Sequence, residues 1–321
     1  MTCNCEALIK AIDAYIEKAD DNLGDTLEAA GFINADETVK EISALESRVA
    51  RALTEETEYI LGAAEQAVDL ERFASDTWPD IKLADNLDEK LGRIFLDEFT
   101  TNMPKLASSY VAKIDAELVV NQISKRTTAW AEGWSKELGQ IMKLNSHDEI
   151  EKILVTGLKD GQSVAEFTQA ILDSGIRDEY YKARRVAITE TLTAHSVAQQ
   201  EAFIQSPAVE EKEWCHTGSY RNAPRENHVA MHGQRVPAAA VYKLEGADGN
   251  IYYPLYPRDT TELPPGERVN CHCLSQPIVS EEVLGLSIEE RRRLQAEAIE
   301  ADDGEWEKEL DAQNKAKAGI D

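Results

Sequence analysis

The sequence predicts an α+β protein in which helix dominates: a mainly helical N-terminal region, then a small module of short strands and loops, then a helical tail. Three observations carry this. Apolar residues recur every three or four positions from Glu6 to about Gln205, the period of one helix face. The roughly seventy residues after Ser206-Pro207 hold most of the prolines and many of the tyrosines, at intervals that break any long helix. After Ser280 the pattern returns to helix, rich in acid and ending in lysine and alanine.

Taken in order, Leu8, Ile12 and Ile16 lay an apolar stripe along a first helix, and Ile42, Leu45, Val49 and Leu53 along another. Gly31 ends a helix cheaply, and Pro79 bars Trp78 from helix, so both positions read as breaks. Helices are expected at about Asn86–Thr100, Pro104–Gln122 and Lys125–Leu144. Three capping boxes mark later starts: Ser146-His-Asp-Glu149, Ser163-Val-Ala-Glu166 and Ser287-Ile-Glu-Glu290. In each, the serine oxygen can take a backbone N–H three residues on while the glutamate reaches back. The first two imply a helical hairpin from Ser146 to about Asp173, closed at Gly161. In the loop-rich module, Asn227–His232 has room for one or two helical turns stopped by Gly233. The partition is then an acidic helical region over 1–145, a module over 146–280 and an acidic helical tail over 281–321.

Charge narrows the function. The 321 residues carry a net charge of −26. Between Ser206 and Ser280 there are 7 basic against 9 acidic residues, so nearly all of the excess lies on the flanking segments. Such a surface opposes binding to duplex DNA, whose affinity comes from Lys and Arg on phosphates, and favours a partner with basic faces. No apolar run approaches the roughly 20 residues that span a bilayer, and the first residues lack the basic and apolar regions of a signal peptide. Synthesis in a cytoplasm is expected, and the odd count of five cysteines does not read as a disulfide framework.

The chemistry concentrates at Glu267–Ile278, where Cys271 and Cys273 stand one residue apart in what reads as a partly β-branched strand. In a strand they share a face and His272 points the other way. Two histidines four apart, His228 and His232, suggest a zinc protease. However, Val229 stands where the catalytic glutamate would be, so that chemistry lacks its base. A structural zinc needs only four closed ligands: Cys271, Cys273 and His228, completed by His216 or His232. The other reading is that the thiols pack as small hydrophobes and the histidines are hydrogen-bonded loop residues. Cys3 and Cys5 repeat the spacing at the start of the chain. Glu190, in Thr189-Glu-Thr beside Arg184 and Arg185, reads as part of a surface ion-pair patch, with a catalytic carboxylate as the sharper alternative. Trp130 and Trp134 read as helix-packing anchors. No phosphate-cradling glycine loop, dinucleotide fingerprint or nucleophile elbow is present.

The order of several weak motifs from about Thr128 to Val279 resembles the phage Mu F-like minor head protein family, the head morphogenesis proteins. They are Thr128-Ala-Trp130, Gly161 to Ser163, Arg185 to Thr191 around Glu190, and Lys212 to Trp214 followed by His216-Thr-Gly. Pro224-Arg225-x-x-His228, Gly233-Gln234-x-Val236, Tyr253-Pro254 and Asn270-Cys-x-Cys273 complete the series. Ile188 and His272 depart from the arginines usual there, so a charged role at either position is not carried over. The resemblance implies a non-enzymatic virion component, made in the bacterial host cytoplasm. It would associate with the portal protein at the head vertex and with other head or scaffolding proteins, and assist head assembly, DNA packaging or genome ejection. Within it, Arg185, Glu190, Trp214, Arg225, Gly233 and Asn270 are structural motif positions, and zinc is the cofactor to consider. The competing class is a metal-dependent hydrolase or nuclease, or a phage-borne toxin effector, built on the Cys/His cluster.

Overall fold

The computed structural model describes residues 23–173, 179–216, 224–269 and 271–318. Cys3, Cys5, the Leu8/Ile12/Ile16 stripe and Asn270 lie outside the described residues. The chain is α+β and mainly helical, with short antiparallel strands in two small sheets. It divides into two compact units, one from Ile42–Met103 and Ser124–Glu190, the other from Met1–Glu41, Pro104–Ile123 and Thr191–Asp321. The boundary drawn at 145 falls inside a helix of the first of these.

The helices are α1 (Leu23–Ala30), α2 (Ala35–Glu65), a single turn at Leu70–Arg72, a π turn at Phe73–Thr77, α3 (Trp78–Ala84), α4 (Leu87–Ile114), α5 (Lys125–Asp160), α6 (Val164–Asp173) and α7 (Glu179–Gln205). Three expected breaks are absent. At Trp78-Pro79 the π turn runs straight into α3: the Trp78 N–H reaches five residues back to the Phe73 carbonyl, and Trp78 keeps helical angles (φ −63°, ψ −41°). The wide turn is closed by the Trp78 N–H, before the proline that has none to give. Pro104 lies inside α4, and both it and Thr100, whose carbonyl loses its donor, are exposed to water. The capping box at Ser146 does not form, because its groups are committed elsewhere. Ser146 Oγ donates to the Glu56 carboxylate at 3.0 Å and Glu149 pairs with Lys182, so α5 continues to Gly161. The box at Ser163 forms in both directions, whereas at Ser287 only the serine half is made and Glu290 turns to Arg293.

The helical unit packs Ile60, Phe73, Trp78, Ile150, Leu154 and Phe167 into one core. α4 and α5 approach closely at Gly139, where an added Cβ would lie 2.4 Å from the Asp88 carbonyl oxygen. Trp134 is buried and Trp130 packs on Phe99 at 4.9 Å, as packing anchors should.

In the other unit β1 (Val209–Cys215) is the centre of a three-stranded antiparallel sheet. It is flanked by β2 (Arg235–Pro237) and by the strand Leu274–Val279. The last segment of α7, Thr191–Gln205, is buried on nearly every side. Its polar side chains bond the surrounding chain: Gln199 accepts the Ser275 N–H, Gln200 donates to the Ala238 carbonyl, and Gln205 donates to the Gln122 carbonyl. Inward-pointing Lys212 donates to Gln200 Oε1 (2.8 Å) and to the Leu255 carbonyl (2.7 Å), so the buried amine has polar partners, and burial pushes its pKa down to about 7.

Candidate functional site

Sheet register builds the site. β1 pairs with Leu274–Val279 up to Cys215 opposite Leu274, so the next residues along each strand, His216 and Cys273, flank one another. Cys273 Sγ lies 3.6 Å from His216 Nδ1. The short helix α8 (Glu226–Met231), opened at Arg225 and stopped at Gly233 (φ +84°), supplies His228. Gly233 can take this left-handed angle without strain, and its N–H closes onto the Trp214 carbonyl at 2.9 Å. The Arg225 guanidinium ties α8 to the cysteine loop through the Val269 carbonyl at 2.7 Å.

The cysteines are not in a strand. A helical turn, α9 (Pro265–Arg268), occupies part of the expected strand, and β5 proper, Leu274–Val279, begins one residue after Cys273. Two smaller strands, β3 (Leu244–Glu245) and β4 (Ile251–Tyr252), pair with each other. In place of a sheet neighbour, the guanidinium of Arg258 takes the carbonyls of Cys271 (2.6 Å) and Cys273 (2.9 Å) and donates to Ser196 Oγ at 2.5 Å. Arg258 is completely buried with a left-handed backbone (φ +68°), and among the described residues no carboxylate pairs with it. The loop still turns both sulfurs inward. His228 Nδ1 stands 3.5 Å from Cys271 Sγ and 3.6 Å from Cys273 Sγ, and all three residues are 2–3% exposed.

Glu267 completes the arrangement. Its Oε2 lies 2.8 Å from His228 Nε2 and accepts from Asn227, while Oε1 accepts the Ala247 N–H. A carboxylate at Nε2 requires the proton there and leaves the Nδ1 lone pair facing the thiols. The neighbouring charges shift all three groups of the cluster. Cys271 is held well below the usual thiol range by the Cys273 S–H, by His228 and by Arg258, and the resulting thiolate pushes Cys273 up. Burial opposes protonation of His228, but Cys271 and Glu267 outweigh it and raise the imidazole. Neither Glu267 nor Arg258 carries a local sequence signal that would have singled it out.

His232 is exposed, and its Nδ1 accepts the His216 backbone N–H at 3.2 Å, whereas the His216 ring stands beside Cys273. Glu190 is not on a surface patch. It is 3% exposed and takes the Trp134 indole N–H at 2.6 Å. Arg184 pairs with Glu46, and Arg185 lines a shallow cleft with Lys152 and Lys182.

Residues 148–275 match the family described as phage Mu protein F like protein. The chain is also 30% identical over 304 residues to an uncharacterized protein of Bacillus subtilis (strain 168), YqbB. That alignment spans 92% of this chain and 97% of the relative. The chain belongs to the phage Mu F-like family. No solved structure matches it. Membership places it among phage head morphogenesis proteins, a family that is generally structural. In this Mu F-like chain, the motif residues Trp214, Arg225 and Gly233 serve the β1–α8–β2 corner that presents His228. Arg185 and Glu190 lie elsewhere, in the helical unit. As a Mu F-like protein it contains, among the described residues, no helix long and apolar enough to cross a membrane.

Proposed function

We propose that this Mu F-like chain is a non-enzymatic minor head protein that associates with the portal at the head vertex and assists head assembly, DNA packaging or genome ejection. The family match over 148–275 carries the reading. Two features support it. The groups a hydrolase would use are closed off: His228, Cys271 and Cys273 are buried, and Glu267, the nearest candidate base, is committed to His228, Asn227 and the Ala247 N–H. The net charge of −26 suits a partner with basic faces and repels duplex DNA.

The test is co-expression of the full chain with the portal protein of the same phage, followed by size-exclusion chromatography in rising salt. The chain is expected to travel with the portal oligomer at low ionic strength and to be released as salt rises. Failure to bind portal, together with nucleic-acid cleavage that is lost in His228→Ala, would replace this reading with the hydrolase one.

A further inference from the structure

The geometry points to a structural zinc site held by Cys271 Sγ, Cys273 Sγ and His228 Nδ1, with His216 Nδ1 as the fourth ligand. It is independent of portal binding. Zinc–sulfur bonds of about 2.3 Å and zinc–nitrogen bonds of about 2.0 Å put tetrahedral sulfur and nitrogen ligands about 3.5 Å apart. The two sulfurs stand 3.5 and 3.6 Å from His228 Nδ1, and Cys273 stands 3.6 Å from His216 Nδ1. The atoms of Cys271, Cys273 and His228 all lie within 4.8 Å of one another.

One imidazole lone pair faces both sulfurs almost equally, 3.5 and 3.6 Å away, the convergence that a shared cation would use. Three neighbours also match a metal centre. Glu267 on His228 Nε2 is the carboxylate that orients a metal-binding histidine and fixes its tautomer. Arg258 clamps both cysteine carbonyls and so sets the direction of both sulfurs. The Trp214 indole N–H is completely buried in the same cluster as Cys271 and Cys273 and has no hydrogen-bond partner of its own. Four protein ligands leave no open position, so the metal's role is to bind the end of β1, helix α8 and the loop before β5 together.

The experiment uses the full chain expressed with zinc and purified without chelator. Metal analysis should find about one zinc per chain, as a four-ligand site holds. Exchange into cobalt(II) should give the visible bands of a tetrahedral centre and a thiolate-to-cobalt charge-transfer band with the intensity of two thiolates. Cys271→Ser and Cys273→Ser should each halve that band or abolish binding. Glu267→Gln should weaken zinc affinity by roughly 10–100-fold, as loss of an orienting carboxylate does. His232→Ala should leave metal content unchanged. The cobalt spectrum of the unmodified chain decides the matter even if the cysteine variants do not fold. A metal-free, folded chain that gives no cobalt spectrum with its thiols reduced would overturn the proposal. So would undiminished zinc in the double cysteine variant, or an intact mass showing Cys271 and Cys273 joined as a disulfide.

Discussion

At the scale of single residues, the interior is held by polar groups whose partners fix their protonation. His195 is fully buried, with Nδ1 3.0 Å from the Tyr110 hydroxyl and Nε2 3.0 Å from Thr38 Oγ1. Thr38 donates to the Asn34 carbonyl, so it accepts the Nε2 proton, and Tyr110 donates to Nδ1. The ring is thus held neutral, its pKa pushed down from 6.5 to about 3 by burial and by the charge of Arg258. A histidine depressed on folding contributes stability that is complete above its unfolded pKa and is lost as pH falls toward the folded one. The denaturant stability of the native chain relative to His195→Gln should therefore fall by about 2 kcal/mol between pH 7 and pH 5. Parallel pH profiles for the two proteins would refute this. Residue types with restricted chemistry were legible in the sequence: Cys271, Cys273, His228 and His216 stood out as metal-ligand types at workable spacing. Glu267 and Arg258 were not, because charged residues are common and only a fold that buries them makes them special. Glu190 misled for the same reason, its helix neighbours being charged while its carboxylate faces Trp134.

At the scale of elements, helix boundaries follow tertiary partners more than local signals. Ser146 and Glu149 have the spacing of a capping box, but Glu56 and Lys182 are stronger claimants in the folded unit, and α5 runs through. Ser163 and Glu166, exposed and without such rivals, form the box as the sequence suggests. The close crossing of α4 and α5 makes a sharper test. Gly139→Ala would place its Cβ 2.4 Å from the backbone of Asp88, a clash no side-chain adjustment relieves, and should cost about 2–3 kcal/mol. Gly92→Ala, whose nearest new contact is 3.5 Å, should instead stabilise by up to about 1 kcal/mol through helix propensity. Urea midpoints measured side by side check the pair, and equal shifts of the same sign would contradict the packing described. The buried segment Thr191–Gln205 was the least legible element. Its partners come from every side, so no one-sided apolar stripe announces how it packs.

At the scale of the whole molecule, the acidic helical tail and the charge distribution bear on function. Helix α10 (Glu281–Leu284) leads into α11 (Ile288–Ala318), whose opening turns are anchored by buried Arg291 on Asp115 and Glu117. Beyond Gly304 the described residues of α11 are mostly exposed. Truncation after Gly304 should leave the melting temperature nearly unchanged, whereas Arg291→Ala, which leaves the buried Asp115 carboxylate without this partner, should lower it clearly. A calorimetric scan distinguishes the two, and a large loss on truncation would show that the end of the helix packs on the fold. The family was legible mainly through the order of weak motifs between Thr128 and Val279, since no single motif carries it. The most direct test of the central claim is quantitative mass spectrometry of procapsids assembled with and without the portal protein. Portal association predicts that the chain is retained at low copy number in portal-containing procapsids and is lost from portal-less shells. Equal retention in both, or absence from both, would contradict it.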